Sequence, residues 1–150
     1  MSPRSRPEAR AWNIGYRGPV IDFEDDGRYQ PGVCNIGPAE IARRRRVGYA
    51  GLAGTVALAV LLRLAHAPAW LRLSVALPAA VSISGFIQAR SRFCAGFGMA
   101  GLRNFGDLGE EVRVADPEAR AADRRRSLRI QAASAAGGLA VGIANALLPD

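Results

Sequence analysis

Hydrophobic and polar residues separate into long blocks along this chain. Three stretches, 47–62, 73–89 and 130–148, contain no Asp, Glu, Lys or Arg. None of them has the one-sided polar face of an amphipathic helix, which disfavours a water-soluble helical bundle. As helices the two shorter stretches would span about 24 to 26 Å, and flanking arginines can snorkel across the rest of a ~30 Å hydrocarbon layer. The pattern therefore predicts an all-α fold, namely an integral membrane protein with three transmembrane helices.

The same pattern divides the chain into segments. Gly37 is placed as a helix cap with Pro38 at the first helical position, and Asp116 with Pro117 repeats this arrangement. The predicted segments are a cytoplasmic, partly disordered arm (1–33), a transmembrane hairpin (34–102, with helices at about 38–65 and 69–92), a cytoplasmic linker and helix (103–129) and a third transmembrane helix (130–150).

Charge placement predicts the orientation in the membrane. The 150 residues carry 20 basic and 13 acidic side chains, a net charge of +7, and every basic residue is Arg. Only Arg63 and Arg72 fall outside the regions 4–46 and 90–129. Because Arg-rich loops are retained on the cytoplasmic side, we expect the N-terminus in the cytoplasm and the C-terminus outside. The Ala-, Gly- and Arg-rich composition is typical of GC-rich coding in a bacterium, which predicts a multi-pass protein of the bacterial inner membrane.

Arginines cluster where the first and third spans begin. Each Arg near an anionic bilayer surface contributes on the order of 1 kcal/mol of attraction. No aromatic residues are interleaved with the clusters, which disfavours nucleic acid as a partner. The predicted partner is a bilayer with anionic headgroups, and the predicted membrane-surface residues are Arg43, Arg44, Arg45, Arg46, Arg124, Arg125, Arg126 and Arg129.

Small residues recur at helical spacing within the spans. Lipid gives helices no hydrophobic reason to associate, so close approach at small residues carries much of the contact. The spacing leaves open whether these faces meet each other or another chain, either a second copy or a larger membrane protein. The predicted packing residues are Gly48, Gly51 and Gly54 in the first span, and Ser134, Gly138, Gly142 and Ala146 in the third.

Few residues suggest chemistry. Residues 96–101 match GxGxxG, but no predicted strand precedes them, so we expect no dinucleotide cofactor. His66 lies on the side away from both cysteines, so we expect no metal site. Cys34 and Cys94 are both predicted at the cytoplasmic interface, where neighbouring arginines would favour the reactive thiolate form and allow a redox couple or a sulfur carrier. The alternative is two reduced thiols that serve only in packing.

A short pattern begins just after Cys34. Asn, an aliphatic residue and Gly are followed by an acid, an Arg and a Gly, and a later Cys is followed after seven residues by Gly. These positions are Asn35, Ile36, Gly37, Glu40, Arg44, Gly48, Cys94 and Gly101. Over residues 34–102 the pattern resembles the YgaP-like transmembrane domain family, small bacterial inner-membrane helical hairpins that occur alone or fused to rhodanese sulfurtransferase domains. Ile41 and Ala95 depart from the family's common Arg and Pro.

The resemblance implies a membrane hairpin with a cytoplasmic cysteine rather than a defined activity. Our first hypothesis is a non-enzymatic structural or interaction subunit of the inner membrane. The alternative is a cytoplasm-facing thiol site for redox or sulfur chemistry at Cys34 and Cys94. A small oligomeric channel or carrier is a weaker alternative, because no ionisable residue lies inside the three spans.

Overall fold

The computed structural model describes residues 28–148, and these are mostly helical. The long helices are α1 (Pro38–Leu64), α3 (Ala76–Ser91) and α5 (Pro117–Leu147). The short elements are α2 (Ala69–Arg72), a 3₁₀ turn (Leu73–Val75), α4 (Ala95–Ala100), β1 (Leu102–Arg103) and β2 (Val112–Arg113).

Three helical segments are long and apolar enough to cross a membrane: 38–64, 69–91 and 117–147. The second is the continuous run of α2, the 3₁₀ turn and α3, called the middle helix below. The predicted number of candidate spans is therefore confirmed for the described part of the chain.

Both predicted helix starts are confirmed. Gly37 has extended backbone geometry before Pro38, the first residue of α1. Asp116 caps α5, because its carboxylate accepts a hydrogen bond from the Glu118 amide at 3.0 Å. A carboxylate at this position satisfies one of the free N–H groups of the first turn and opposes the positive end of the helix dipole.

Pro78 changes the geometry of the middle helix in the turn before it. A proline lacks an N–H, and its ring clashes with the carbonyl four residues before it, here that of Ser74. The turn Leu73–Val75 adopts 3₁₀ geometry at that place, and α3 continues regularly from Ala76. The break in regular geometry thus lies one turn before the proline.

The middle helix lies between α1 and α5 and contacts both. On the α1 side, a Cβ added to Gly51 would lie 2.6 Å from the Ser82 amide nitrogen, and one added to Gly85 would lie 2.5 Å from the Gly48 nitrogen. On the α5 side, a Cβ on Gly138 would lie 2.6 Å from the Ala76 carbonyl oxygen. The two predicted small-residue faces therefore meet the middle helix, an arrangement that the spacing had not suggested.

The remaining predicted packing residues divide between buried and peripheral positions. Ser134 and Gly142 are buried in the same α5 face, and a Cβ on Gly142 would lie 2.9 Å from the Leu73 carbonyl oxygen. Ala146 is half-buried and Gly54 is exposed, with only Pro78 Cβ near it, at 3.8 Å.

Large apolar side chains point away from these contacts. Leu61, Leu77 and Leu139 are 62 %, 73 % and 54 % exposed, whereas the contact faces bury Gly and Ser. A chain folded in water places its large aliphatic residues inside. The three long helices reverse that distribution over most of their length, with Leu62 of α1 buried in a small cluster with Val75 as an exception.

The two arginines outside the regions 4–46 and 90–129 join the helices at the end away from Cys94. Arg63 of α1 donates to the Asn145 carbonyl at 3.1 Å, and Arg72 donates to the Leu148 carbonyl at 3.4 Å. Asn145 in turn donates from its side chain to the Arg72 carbonyl at 3.2 Å. Positive charge at the C-terminal end of α5 opposes the negative end of its dipole.

The predicted all-helical fold is incomplete, because β1 and β2 form an antiparallel ribbon. Gly101 takes left-handed geometry (φ 69°) and ends α4, which turns the chain into β1. The ribbon, the adjoining segment 28–37 and the start of α5 pack together at the Cys94 end of the helices. We call this part the polar end. Residues 1–27 of the predicted arm lie outside the described part of the chain.

Candidate functional site

The segment before α1 is fixed against the segment before α4 by an asparagine. Asn35 donates from Nδ2 to the Cys94 carbonyl at 3.1 Å and accepts the Cys94 amide on Oδ1 at 2.7 Å. Its backbone amide donates to the Arg92 carbonyl at 3.2 Å, and its carbonyl accepts the Asn104 amide at 2.9 Å. Asn35 is fully buried. The Asn35 side chain therefore forms hydrogen bonds with both the backbone N–H and the backbone carbonyl of Cys94, as a neighbouring β-strand would do.

Cys94 lies at the centre of the polar end and is only 1 % exposed. It is the N-cap of α4, and its sulfur accepts the Phe97 amide at 3.4 Å. The Arg44 guanidinium donates to the same sulfur, with Nη2 to Sγ at 2.9 Å. Sulfur is a weak hydrogen-bond acceptor. Two N–H donors directed at the Cys94 sulfur therefore give this thiol a more polar environment than simple packing requires.

Arg44 also joins Cys94 to a buried carboxylate. Its Nη2 lies 3.5 Å from Oε2 of Glu40, whose side chain is fully buried, and Arg43 approaches Oε1 at 3.6 Å. The Arg44 guanidinium carbon lies 5.9 Å from the centre of the Phe97 ring. Within residues 28–148, Oε1 of Glu40 accepts no hydrogen bond. A buried carboxylate depends on such positive neighbours to offset the loss of its hydration.

The spacing of the motif residues has a structural explanation. Cys94 and Gly101 are the N-cap and the left-handed C-cap of α4, which sets their separation. Gly37 has no room for a side chain, because a Cβ there would lie 2.9 Å from the Phe105 backbone. Gly48 lies against the Phe86 ring. Together with Asn35, Glu40 and Arg44, these residues pack around one junction of α1, α3 and α4.

Cys34 lies at the same end but in a different environment. It is half-buried, and its sulfur donates to the Ile36 carbonyl at a long 3.9 Å. Both cysteines are free. The segments that carry them are joined through Asn35, yet the hydrogen-bond partners of the two sulfur atoms are separate. Residues 28–148 contain no cluster of three His, Cys, Asp or Glu side chains that could hold a metal ion.

A second buried carboxylate holds the segment before Cys34. Asp123 of α5 is fully buried and accepts the Tyr29 hydroxyl at 2.8 Å and the Gly32 amide at 2.7 Å. Arg103 lies over the Tyr29 ring, 5.2 Å from its centre. Burial, followed by the hydrogen bond to Asp123, raises the pKa of the Tyr29 phenol well above its ordinary value. Residues 28–33, predicted as part of the partly disordered arm, are therefore fastened to α5.

Sequence reasoning missed several residues of the polar end. Asn104 and Asp123 are as buried as the motif residues, and Gln88 accepts the Ala95 amide on Oε1 at 2.9 Å. Asp123 lies directly before Arg124–Arg126, and a charged residue beside an arginine run is typical of a solvated surface. The one sequence signal for its burial is its position on the same face of α5 as Ser127, Ser134 and Gly138.

Most of the predicted membrane-surface arginines are exposed. Arg44 differs, because its side chain turns inward to Glu40 and Cys94 and is 19 % exposed. Arg126 is half-buried. The exposed set is Arg43, Arg45, Arg46, Arg124, Arg125 and Arg129.

The fold thus defines a class, a mostly helical chain with three candidate membrane spans and one structured polar end. No protein-family model, curated protein or solved structure matches the chain. The resemblance to the YgaP-like transmembrane domain family therefore rests on the quoted residues alone and stays a prediction.

Proposed function

We propose that this chain is a multi-pass bacterial inner-membrane protein whose polar end lies in the cytoplasm. The observation that carries the proposal is the reversed distribution of side chains on the long helices. Leu61, Leu77 and Leu139 are exposed while Gly51, Gly85 and Gly138 occupy the helix contacts. Lipid is the solvent in which large aliphatic side chains are stable on the outside.

The arginines support the orientation. The exposed members of both clusters lie at the polar end, next to the start of α1 and the first half of α5. Arg63 and Arg72, at the other end, are engaged with carbonyl groups of α5. Basic residues near span ends stay on the cytoplasmic side, where anionic lipids attract them. We therefore propose that the N-terminus lies inside and the C-terminus outside.

Within the membrane we propose a structural or interaction role. Most of the small-residue positions in residues 28–148 are occupied by the middle helix, and Gly54 is the exposed exception. A second copy or a larger membrane protein would therefore contact the exposed Leu and Val side chains of the long helices or the exposed surface of the polar end. The YgaP-like resemblance agrees with this class, since it implies a small membrane hairpin without a defined activity.

A two-ended topology assay tests the proposal. A reporter active only in the cytoplasm is fused to either terminus of the full chain, and a reporter active only outside is fused in parallel. We expect cytoplasmic signal from the N-terminal fusion and external signal from the C-terminal fusion. Signals from one compartment at both ends would contradict the three-span arrangement. Co-purification in mild detergent tests the interaction role, and a monomeric, partner-free protein would contradict it.

The geometry around Cys94 favours a second candidate, a thiol site. Arg44 and the Phe97 amide both donate to its sulfur, and Asn35 ties the Cys34 segment to it. The variants Cys34→Ser and Cys94→Ser separate this role from a structural one. A thiol site predicts that both variants keep their fold and partner binding but lose a redox or sulfur-dependent phenotype. Loss of thermal stability in Cys94→Ser alone, without such a phenotype, would assign Cys94 to helix capping.

The channel or carrier hypothesis gains no support from the helix contacts. Gly51 meets the Ser82 backbone and Gly138 meets the Ala76 backbone too closely for a Cβ between them. Ion flux in liposomes above that of empty vesicles would restore this alternative.

A further inference from the structure

A shallow groove opens on the outer surface where α1 and α3 pack together at the polar end. Its lining residues are Arg45, Tyr49, Phe86, Ala89 and Arg90. Arg45 and Tyr49 are separated by one helical turn on α1, and Phe86 and Arg90 are separated by one turn on α3. Residues four apart share a helix face. The groove therefore has two arginines at its polar rim and two aromatic rings one turn closer to the apolar spans.

The arginines at the rim carry charge that the described part of the protein does not neutralise. Both are exposed, and neither forms an ion pair with an acidic residue among 28–148. The acid nearest to Arg45 along α1 is Glu40, which is paired with Arg43 and Arg44 instead. The rim therefore attracts an anion, and its two guanidinium groups present the planar donor geometry that suits phosphate oxygens.

Of the two aromatic rings in the groove, Phe86 is held by packing and Tyr49 is partly exposed. Phe86 is fixed by Gly48, since a Cβ on that glycine would lie 2.9 Å from the ring. Tyr49 packs edge-to-face on Phe86, with ring centres 5.1 Å apart and an interplanar angle of 85°, yet remains 59 % exposed. Aromatic rings at this depth are suited to the boundary between headgroups and acyl chains.

We propose that this groove is a specific binding site for an anionic phospholipid of the cytoplasmic leaflet. The headgroup phosphate lies between Arg45 and Arg90, and the first part of an acyl chain lies over Tyr49 and Phe86. Basic depressions between membrane helices on the cytoplasmic side have the charge and position that such lipids require. The site deepens the proposed function and rests on it, because it needs the polar end to face that leaflet.

A free phosphate or another water-soluble anion explains only half of the groove. It would use the rim arginines but would leave the exposed face of Tyr49 without a contact. A phospholipid uses both parts at once. The two sources are distinguishable, since only the lipid gains affinity from its chains.

Lipid titration of the full chain tests the site. The purified protein in uncharged detergent is titrated with phosphatidylglycerol or with phosphatidylcholine of the same chains, and bound lipid is counted by native mass spectrometry. We expect the wild type to prefer phosphatidylglycerol. Removing both rim charges in Arg45→Gln/Arg90→Gln should reduce that preference about 30-fold, because the charge-assisted hydrogen bonds from both guanidinium groups to the phosphate are lost.

A charge-matched variant serves as the control. Arg46→Gln/Arg129→Gln removes the same charge from exposed positions at the polar end but outside the groove. In uncharged detergent no anionic bilayer surface is present for these arginines to attract, so the preference should change less than about twofold. Arg45→Lys/Arg90→Lys keeps the charge but loses the planar donor geometry, so its preference should lie between those of the wild type and the glutamine variant. The melting temperature of each variant is measured in the same detergent.

Three results would overturn the site. The first is a wild type with no preference between the two lipids. The second is an equal loss in both glutamine variants, which would show only diffuse attraction. The third is displacement of the lipid by glycerol phosphate at comparable concentration, which would make the ligand a soluble anion. A protein that stays dispersed without detergent would instead contradict the proposed membrane location itself.

Discussion

The three candidate spans and the polar end of this protein have opposite interiors. Between the long helices the interior holds Gly51, Gly85 and Gly138, and most of the large aliphatic residues lie outside. At the polar end the interior holds Phe93 and Ile36, which are 0 % and 1 % exposed, while arginines cover the outside. Small residues are therefore buried in one part of the chain, and large apolar residues are buried in the other.

The difference shows which interactions each part relies on. In water, removing apolar surface such as the Phe93 ring stabilises the folded state. In lipid this contribution is absent, and helices are held by close van der Waals packing and a few hydrogen bonds. Variants that remove the same kind of group from each part should therefore have unequal effects.

The largest loss is expected for Asn35→Ala at the polar end. The substitution leaves the buried amide of Cys94 without its partner and the Cys94 carbonyl with the Gly98 amide alone, which should cost about 3 kcal/mol. Thermal unfolding in detergent measures the loss, with Val33→Ala as the control because Val33 is exposed and nearby. An unchanged melting temperature in Asn35→Ala would show that the junction does not depend on this amide.

A smaller loss is expected for Gly51→Ala in the spans, about 2 kcal/mol, because the new methyl group meets the Ser82 backbone at 2.6 Å. Gly54→Ala is the matched control on the same helix. Its methyl group meets only Pro78 at an ordinary 3.8 Å, so it should be neutral or slightly stabilising. Equal melting temperatures for the two variants would contradict the packing of α1 on the middle helix.

Tyr29→Phe should cost about 1 kcal/mol, because it removes the hydroxyl that donates to Asp123. The pKa of this phenol is raised in the folded state, so its contribution is present below the ordinary value of 10.0 and is lost as the pH rises beyond it. Unfolding measured from pH 8 to pH 11 should show the wild-type advantage shrinking from about pH 10 upward. A stability difference between wild type and Tyr29→Phe that grew with pH would contradict the hydrogen bond from Tyr29 to Asp123.

The smallest effect is expected for Ser82→Ala, about 0.6 kcal/mol, the usual size for a hydrogen bond between membrane helices. Ser82 donates to the Gly48 carbonyl at 2.9 Å, and that carbonyl also lies within the α1 ladder. The same unfolding assay in detergent compares it with Ser74→Ala, a half-buried serine of the middle helix. A loss as large as that of Asn35→Ala would mean that hydrogen bonding, not packing, dominates the spans.

The sequence revealed the spans more readily than the polar end. Uninterrupted apolar runs and the caps at Gly37 and Asp116 are local signals, and the structure has the corresponding helices. The contacts of Asp123 with Tyr29 and of Asn35 with Cys94 join residues 94 and 59 positions apart, so no local pattern predicts them. Burial of Glu40 and Asp123 was hidden for a related reason, since a charged residue beside an arginine run resembles a solvated surface.

The most direct test of the account is the solvent that the full chain requires. Membranes from expressing cells are washed with alkaline carbonate and then treated with mild detergent. The account predicts that the protein stays in the membrane pellet during the wash and enters solution only with detergent, because its exposed Leu and Val side chains face lipid. Release by carbonate into a dispersed, folded form would show that the long helices are built for water and would contradict the central claim.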